Sequence, residues 1–364
     1  MECIQETWLS DRRYLTHFRS KVARQRIPIS GSMELTHRCN LRCVHCYLGP
    51  LPSVSAMREK ELGTERIISL LDEITEAGCL SLLITGGEPL LRDDFGEIYR
   101  YAKRKGLLVT VFTNGTLLKE SHTELFRDLP PHGVEITLYG ASAPTYERIT
   151  GIAGSYEKCL AGIRRLLAGG IRVRLKTILM TLNRHEFFEI KKIADGFGVK
   201  FRFDPAISPR LNGDKSPIAL RVPAEEAVEK EFSDKDKTRK WIDHLNKYPD
   251  RSVPDTLYYC GAGIFNFHLD PYGNLQPCMM ATQLRHNLSE GGFLTGWREV
   301  MPRIREKKVD ADFVCNRCEK REVCGFCPPF FELENGSPEV CSKYHCALSR
   351  NRFQILQKAM SGKG

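Results

Sequence analysis

Short apolar runs and amphipathic helical periods alternate along the first 204 residues of the chain. Each run is five to nine residues long, which favours a strand over a helix. Strands that alternate with helical segments are typical of βα units and a parallel sheet. The predicted strands are Ser32–Thr36, Leu80–Thr85, Leu107–Thr113, Gly133–Tyr139, Arg172–Met180 and Lys200–Asp204. The predicted helices are Thr64–Ala77, Asp94–Lys105, Lys119–Arg127, Tyr156–Ala168 and Arg184–Phe197.

About six units fall short of the eight that close a βα barrel. We therefore predict an α/β fold, a partial (β/α)6 TIM barrel with an open side and a cysteine-rich C-terminal extension. After Asp204 the strand signal fades, and helices are predicted around Ala224–Lys230 and Asp236–Asn246. The predicted divisions are an N-terminal segment 1–27, the barrel 28–206, a linker with helices 207–255, the cysteine-rich domain 256–350 and a C-terminal tail 351–364.

Composition excludes several classes of protein. Hydrophobic residues make up 41% of the chain and charged residues 27%, which is ordinary for a globular protein. No apolar stretch is long enough to span a membrane, and the N-terminus lacks a secretory signal, so we predict a cytoplasmic protein. The net charge of +9 is spread along the chain, which favours a basic surface over a nucleic-acid site.

The positions of the 14 cysteines indicate the chemistry of the protein. Three lie together near the start and eight lie between Cys260 and Cys346, whereas Cys3, Cys79 and Cys159 are isolated and receive no role. In a chain with no export signal, grouped cysteines indicate metal ligands rather than disulfides.

Cys39, Cys43 and Cys46 form the first group, with three residues between the first pair and two between the second. Thiolates are the usual ligands of iron-sulfur clusters, and three of them leave one iron of a 4Fe-4S cluster free to bind an external molecule. Two alternatives are a zinc knuckle, with His37 or His45 as the fourth ligand, and a set of buried free cysteines.

This spacing, followed by the aromatic Tyr47, resembles the signature of the radical S-adenosylmethionine (SAM) superfamily. The resemblance implies that Cys39, Cys43 and Cys46 are the catalytic cluster ligands. Gly86, Gly87, Glu88 and Pro89 follow the second predicted strand and are similar to the superfamily motif that holds the methionine amino group of SAM. The two glycines permit close approach of the backbone to a ligand.

Further matches implied by the resemblance concern single residues around the predicted barrel. Thr113 and Asn114 resemble the common TNG sequence, Thr137 would contact the ribose or carboxylate, and Arg148 would pair with the carboxylate of SAM. Lys176 and Asn183 resemble the region that borders the nucleoside. Tyr139 departs from the family pattern, which has aspartate there. The cofactor-binding residues predicted in this way are Tyr47, Gly86, Gly87, Glu88, Pro89, Asn114, Thr137, Arg148 and Lys176.

The second cysteine group resembles the SPASM extension of radical SAM enzymes, which carries auxiliary 4Fe-4S clusters. By this resemblance Cys260, Cys278 and Cys327 would bind an inner cluster, and Cys315, Cys318, Cys324 and Cys341 an outer one. The inner cluster would have an open iron or be completed by Cys346. A pair of zinc ribbons is the structural alternative.

The resemblance implies reductive cleavage of SAM to a 5′-deoxyadenosyl radical, which abstracts hydrogen from a substrate. We expect a peptide substrate, matured by an oxidative crosslink or a similar reaction as in ribosomal peptide natural products and peptide-derived cofactors. Met279 follows Cys278 where sulfatase-maturing relatives have aspartate, which argues against that subgroup. The segment NGSPEVCSKYH is closer to relatives that crosslink the pyrroloquinoline quinone precursor.

Two partners are also expected. About 30 residues precede the first motif, so a leader-bearing substrate predicts a separate leader-binding protein. A flavodoxin- or ferredoxin-type protein would donate electrons. Two other functions remain open: side-chain modification of haem or another tetrapyrrole, and a non-catalytic zinc or iron-sulfur binding module.

Overall fold

The computed structural model describes residues 11–49, 54–247, 255–310 and 312–361. Within these ranges nine strands form one sheet in the order β6, β5, β4, β3, β2, β1, β7, β8, β9. The strands are β1 (Ser30–Glu34), β2 (Ser81–Thr85), β3 (Leu108–Thr113), β4 (Gly133–Thr137), β5 (Val173–Ile178), β6 (Lys200–Asp204), β7 (Asn266–Leu269), β8 (Asn274–Gln276) and β9 (His286–Asn287).

The helices of the described residues surround this sheet. They are α1 (Asp11–Gln25), α2 (Val54–Arg58), α3 (Thr64–Glu76), α4 (Phe95–Arg104), α5 (Glu120–Asp128), α6 (Ala143–Thr150), α7 (Ser155–Ala168), α8 (Phe187–Gly196), α9 (Ala224–Phe232), α10 (Lys235–Lys247), α11 (Gly292–Thr295), α12 (Met301–Arg305), α13 (Pro328–Asn335) and α14 (Lys343–Met360). No helix in the described ranges is both long enough and apolar enough to cross a membrane.

Strands β1 to β6 are all parallel and follow chain order, which confirms the predicted partial βα barrel. Alternation within a strand explains its two faces. In β3, Val109 and Val111 are fully buried among the helices, whereas Thr110 and Phe112 face the inside of the barrel and are only partly buried. The sheet does not close, because β6 and β9 form its two edges.

The cysteine-rich extension joins the same sheet. Strand β7 pairs in parallel with β1, so that Ser30 lies opposite both Ser81 of β2 and Asn266 of β7. This double pairing explains why β1 begins two residues before the predicted Ser32. Strands β8 and β9 continue the sheet in antiparallel order.

The divisions drawn from the sequence can be placed on these elements. Helix α14 runs through position 351, where the C-terminal tail was predicted to begin, and it packs against α9 around buried Leu348 and Val228. Helices α1 and α6 were not predicted. Cys3 lies outside the described residues.

Candidate functional site

The loop after β1 carries the first cysteine group and is held by backbone hydrogen bonds. The amide of Cys46 donates to the carbonyl of Cys43 at 3.0 Å. The amides of Arg42 and Val44 donate to the carbonyls of Thr150 and Ile149 at 2.8 and 3.0 Å, at the end of α6. The loop is therefore fixed against an element from the far side of the barrel.

The three thiols of this loop interact electrostatically with one another. Burial raises the pKa of Cys39 to about 11 and raises the pKa values of Cys43 and Cys46, and neighbouring thiols of the trio add to the shifts of Cys39 and Cys43. Thiols that are buried close together without a cation stay protonated. A bound iron cluster would stabilise their deprotonated forms. The donor set thus fits a cluster. Among the described residues, no three His, Cys, Asp or Glu side chains are placed to bind one metal ion. A 4Fe-4S cluster does not require such a site, because each thiolate binds a different iron.

Gly86 and Gly87 lie against the start of the cysteine loop. A side chain at Gly86 would place its Cβ 2.3 Å from the carbonyl oxygen of Thr36, and φ there is +145°. At Gly87 a Cβ would lie 2.3 Å from the carbonyl oxygen of Arg38. The amide of Gly87 donates to the Thr36 carbonyl at 2.7 Å. Only glycine permits this contact between the two motifs.

Glu88 turns its carboxylate inward, toward the end of β3. It accepts hydrogen bonds from the hydroxyl of Thr113 at 2.8 Å and from the amides of Asn114 and Leu90 at 2.7 and 3.1 Å. Burial raises the pKa of Glu88 to about 7, although these hydrogen bonds oppose the rise. The side chain thereby ties the two strand ends together.

Asn114 connects this strand end to the cysteine loop. Its Nδ2 donates to Oδ1 of Asn40 at 2.9 Å and lies 3.8 Å from Sγ of Cys39. The predicted residues Gly87, Glu88 and Asn114 therefore meet beside the first thiol.

Tyr139 occupies the position where the family pattern has aspartate. Its hydroxyl opposes the rise in the pKa of Cys43 that burial causes, and its ring packs edge-on against His45 at a centroid distance of 4.8 Å. Burial lowers the pKa of His45 to about 4. An aromatic ring therefore lies beside the cysteine loop at the position where the family pattern has a charged side chain.

The remaining predicted SAM contacts spread over a wider area. Thr137 is buried at the end of β4, and Asn183 is buried and bonds to the carbonyls of Tyr139 and Ile178. Arg148 is exposed on the last turn of α6, next to the residue that holds the cysteine loop.

Tyr47 belongs to a polar network that the sequence did not indicate. Its hydroxyl donates to Glu34 at 2.5 Å, and Nε2 of His37 lies 2.8 Å from the same carboxylate. Nε2 of His268, from β7, lies 3.5 Å from Glu34, and its Nδ1 is 2.8 Å from the hydroxyl of Ser32. Burial alone would raise the pKa of Glu34, but the hydrogen bonds from His268 and His37 outweigh it and hold that pKa below its usual range.

Lys176 lies inside the barrel among charged and aromatic groups. Its Nζ is 3.6 Å from Glu135 and 4.0 Å from the centre of the Phe112 ring. Arg202 of β6 bonds to Glu135 at 2.5 Å and to Asp204 at 3.3 Å. Burial lowers the pKa of Lys176, and Glu135 opposes the shift.

Arg210 lies beside the cysteine loop, on the segment after β6. Its guanidinium bonds to Asp214 at 2.7 Å, and its Nε is buried without a hydrogen-bond partner among the described residues. Burial raises the pKa of Cys46, and Arg210 lowers it in part. The amide of Leu211 donates to the carbonyl of Tyr47 at 2.8 Å. No motif signalled this contact in the sequence.

The C-terminal cysteines separate into two groups. Cys260, Cys278 and Cys327 form the inner group, since Cys278 interacts with Cys260 and Cys327 interacts with both. Burial raises the pKa of Cys327 to about 12, and the other two thiols add to the rise. Burial lowers the pKa of Arg305, and Cys260 opposes the shift.

The outer group contains five thiols, those of Cys315, Cys318, Cys324, Cys341 and Cys346. Cys341 interacts electrostatically with both Cys315 and Cys346. Cys346, one of the two options for completing the inner cluster, is therefore placed with the outer group.

Residues 33–195 match the family model described as the radical SAM superfamily. These residues are a radical SAM domain, and the protein is an enzyme. Members of the superfamily use a 4Fe-4S cluster and SAM.

Particular relatives extend the likeness beyond the matched domain. The AdoMet-dependent heme synthase of Methanosarcina barkeri is 27% identical over 338 residues, which cover 84% of this chain and 93% of that protein. The mycofactocin maturase MftC of Mycobacterium tuberculosis is 27% identical over 355 residues, which cover 93% of this chain and 89% of that protein. Streptococcus suis SuiB bound to precursor peptide SuiA matches the fold with a TM-score of 0.66 at 16% identity, over 95% of this chain and 83% of that chain.

Proposed function

We propose that this enzyme modifies a peptide by radical SAM chemistry. The observation that carries the proposal is the likeness to the mycofactocin maturase, which covers 93% of the chain and 89% of the relative, enough to include the cysteine-rich extension as well as the barrel. The reaction expected is an oxidative change such as a crosslink.

Cys39, Cys43 and Cys46 are proposed to hold the SAM-binding cluster. Support comes from their placement on one loop, their mutual electrostatic interaction and the contact of Cys39 with Asn114. When bound, this cluster supplies the electron that cleaves SAM to a 5′-deoxyadenosyl radical. The zinc-knuckle alternative is less well supported, because His37 hydrogen bonds to Glu34 and His45 packs edge-on against Tyr139.

The protein's own groups bind and orient SAM in this proposal. Gly86 and Gly87 bring the backbone close to the cysteine loop, and Glu88 with Pro89 holds that turn against β3. Tyr47, Asn114 and Thr137 border the loop, and Arg148 supplies a guanidinium for the SAM carboxylate. Lys176 lies deeper in the barrel, where its ammonium group faces the interior.

A route for an extended substrate exists at the open edge of the sheet. Strand β6 is one edge, and its inward side chains Arg202 and Asp204 are about half exposed. An edge strand offers unpaired backbone groups to an added peptide strand. We place substrate entry there.

The inner and outer groups are proposed to bind two auxiliary 4Fe-4S clusters. The inner group offers three thiols, which leaves one iron corner without a cysteine of that group. An auxiliary cluster provides an acceptor for the electron released when a substrate radical is oxidised.

The test compares substrates under anaerobic conditions with SAM and dithionite. The probes are a precursor peptide encoded beside the gene for this chain and, separately, an iron coproporphyrin. We expect the peptide to raise 5′-deoxyadenosine formation above the uncoupled rate and to lose hydrogen, as measured by mass spectrometry. Peptide left unchanged beside a converted coproporphyrin would overturn the proposal. The Cys43→Ala variant is the matched control for both probes.

Tetrapyrrole modification is the second candidate, favoured by the M. barkeri heme synthase likeness over 93% of that protein. It ranks below peptide modification because that likeness covers less of this chain, 84% against 93%. The same two-probe experiment decides between them.

Two partners and a location complete the proposal. A flavodoxin- or ferredoxin-type donor would supply electrons, and a separate small protein would bind a peptide leader. A cytoplasmic location would keep the 14 cysteines reduced. Equal affinity of the precursor peptide for the enzyme with and without a co-expressed leader-binding candidate would contradict the partner.

A further inference from the structure

The buried carboxylate of Glu34 connects the cysteine loop with the C-terminal extension. The Glu34 side chain is 1% exposed and accepts a hydrogen bond from the hydroxyl of Tyr47 at 2.5 Å. Nε2 of His37 lies 2.8 Å from the same carboxylate, and Nε2 of His268 lies 3.5 Å from it. Tyr47 and His37 flank the three cysteines of the loop, whereas His268 belongs to β7. A buried charge requires such partners, and here they come from two regions of the chain.

The ring of His268 is held on both sides. Ser32 and His268 are partners in the pairing of β1 with β7, and the Ser32 hydroxyl lies 2.8 Å from Nδ1 of the histidine. A carboxylate only accepts hydrogen bonds, so the Nε2 that faces Glu34 carries a proton, and in the neutral ring Ser32 donates to Nδ1. The ring is 2% exposed, so water does not replace either partner. Strand pairing therefore fixes the direction in which His268 donates.

The turn between β7 and β8 supplies a second contact from the extension. The carboxylate of Asp270 accepts hydrogen bonds from the amides of Tyr272 and Asn274, both at 2.9 Å, and these bonds hold the turn. The ring of Tyr272 packs edge-on against His37 at a centroid distance of 5.0 Å. His37 is thus held between the Glu34 carboxylate and an aromatic ring of the extension.

Tyr47 is fixed at its backbone and at its hydroxyl. Its carbonyl accepts a hydrogen bond from the amide of Leu211 at 2.8 Å, and its hydroxyl donates to Glu34. Tyr47 directly follows Cys46 and is one of the residues proposed to border SAM. Glu34 therefore holds the far end of a side chain that lines the proposed SAM site.

We infer that Glu34 and His268 are positioning residues for SAM binding, which act by holding the Tyr47 side chain against the bound cofactor. Strand β7 of the extension then contributes to SAM affinity, in addition to the clusters that the extension is proposed to bind. This inference rests on the proposed function, which places SAM beside Tyr47.

The test measures the dissociation constant of SAM for anaerobically reconstituted protein with oxidised clusters, by equilibrium dialysis with radiolabelled SAM. Tyr47→Phe is expected to raise the constant about tenfold, because a hydrogen bond to a charged group contributes at least about 1.4 kcal/mol. Glu34→Gln keeps a neutral acceptor, and a neutral hydrogen bond is about half as strong, so a rise of about threefold is expected. The double variant should match Tyr47→Phe within about twofold, because Glu34 acts through the hydroxyl that is already missing.

His268 provides the part of the test that is specific to the extension. His268→Leu removes the donor to Glu34 and should raise the constant about threefold, whereas His268→Gln keeps an amide donor and should restore most of the affinity. Glu231→Gln is the matched control, since Glu231 is also a buried carboxylate and accepts from Arg352 at 2.8 Å and from Trp241 at 3.3 Å, on α9. The control should bind SAM as wild type does.

Two results would each overturn the inference. The first is an unchanged constant in His268→Leu with full iron content. The second is an unchanged constant in Tyr47→Phe, which removes one oxygen atom and so guards against a misfolded Glu34 variant. Effects of Tyr47→Phe and Glu34→Gln that multiply in the double variant would likewise show that Glu34 does not act through Tyr47. Wild type and variants that bind SAM as expected but leave the precursor peptide unmodified would contradict the proposed function alone.

Discussion

The two cysteine-bearing regions of this protein are built in opposite ways. In the barrel, three thiols share one loop of eight residues that is held by β1, α6 and the Gly86–Pro89 turn. In the extension, eight thiols come from segments as far apart as Cys260 and Cys346, linked by short strands, loops and helices. In the barrel, the fold holds the cysteine loop in place. In the extension, we expect bound clusters to stabilise the fold.

Replacing a thiol of the barrel loop has the largest expected effect on activity. Cys43→Ala is expected to abolish 5′-deoxyadenosine formation, because two thiolates remain where the proposed cluster needs three. The helical circular dichroism signal should be unchanged, since backbone bonds hold the loop. Cys79→Ala, at a buried thiol of the barrel outside both cysteine groups, is the matched control. Retained SAM cleavage in Cys43→Ala would refute the site.

The second largest expected effect is a difference in protease resistance between the two regions after metal removal. Chelation of iron under anaerobic conditions should make residues 306–342 sensitive to limited proteolysis, because the described residues of this segment add no strand to the sheet and form only short helical segments. The barrel and strands β7 to β9 should survive together as a resistant fragment, since Phe267, Phe293 and Trp297 belong to the same continuous apolar cluster as the barrel core. Mass spectrometry of the fragments checks this, and equal protection of both regions would show that the extension folds without clusters.

Glu88 provides a pH test confined to the barrel. Its pKa is raised from 4.5 to about 7, so the folded state keeps a proton that the unfolded state releases at lower pH. Stability should therefore fall as pH rises through this window, by up to about 3 kcal/mol from this residue. Urea unfolding of cluster-free protein at several pH values should show a shallower fall in Glu88→Gln. Glu97→Gln, at an exposed position, should keep the wild-type slope, and a Glu88→Gln protein with that same slope would disprove the buried acid.

The smallest expected effect is that of replacing Arg210, which should change the reduction potential of the cluster at the barrel site. Its cation lies near Cys46, so removal in Arg210→Gln should lower the reduction potential of the SAM-binding cluster by tens of millivolts, about the scale of a single charge near a cluster. Lys215→Gln removes an exposed charge five residues away as the control. Identical potentials in both variants, measured by redox titration with electron paramagnetic resonance (EPR), would show that Arg210 only packs against the loop.

The sequence predicts the barrel well because each strand is a local pattern. Strand β6 has the predicted bounds Lys200–Asp204, and β3 starts within one residue of its prediction. Helix α6 was missed, although Ser142 caps it and Pro144 stands in its first turn, both local signals for a helix start.

The sequence patterns did not predict contacts between segments that are distant along the chain. His268 reaches Glu34 only because β7 pairs with β1, and a four-residue strand in a cysteine-rich region carries almost no periodic signal. Arg210, which follows β6, and Tyr139, which follows β4, reach the cysteine loop only through the tertiary fold. The spacing of the C-terminal cysteines left the place of Cys346 open, because helix α14 decides which way that thiol points.

Direct contact between SAM and the barrel-loop cluster is the central claim, and one measurement tests it. Electron-nuclear double resonance on the reduced enzyme with SAM labelled by ¹⁵N in the methionine amino group should detect hyperfine coupling from that nitrogen. The coupling should be absent in Cys43→Ala, which keeps the C-terminal cysteines. Reduced wild-type enzyme that binds labelled SAM and shows a cluster EPR signal without nitrogen coupling would contradict the account.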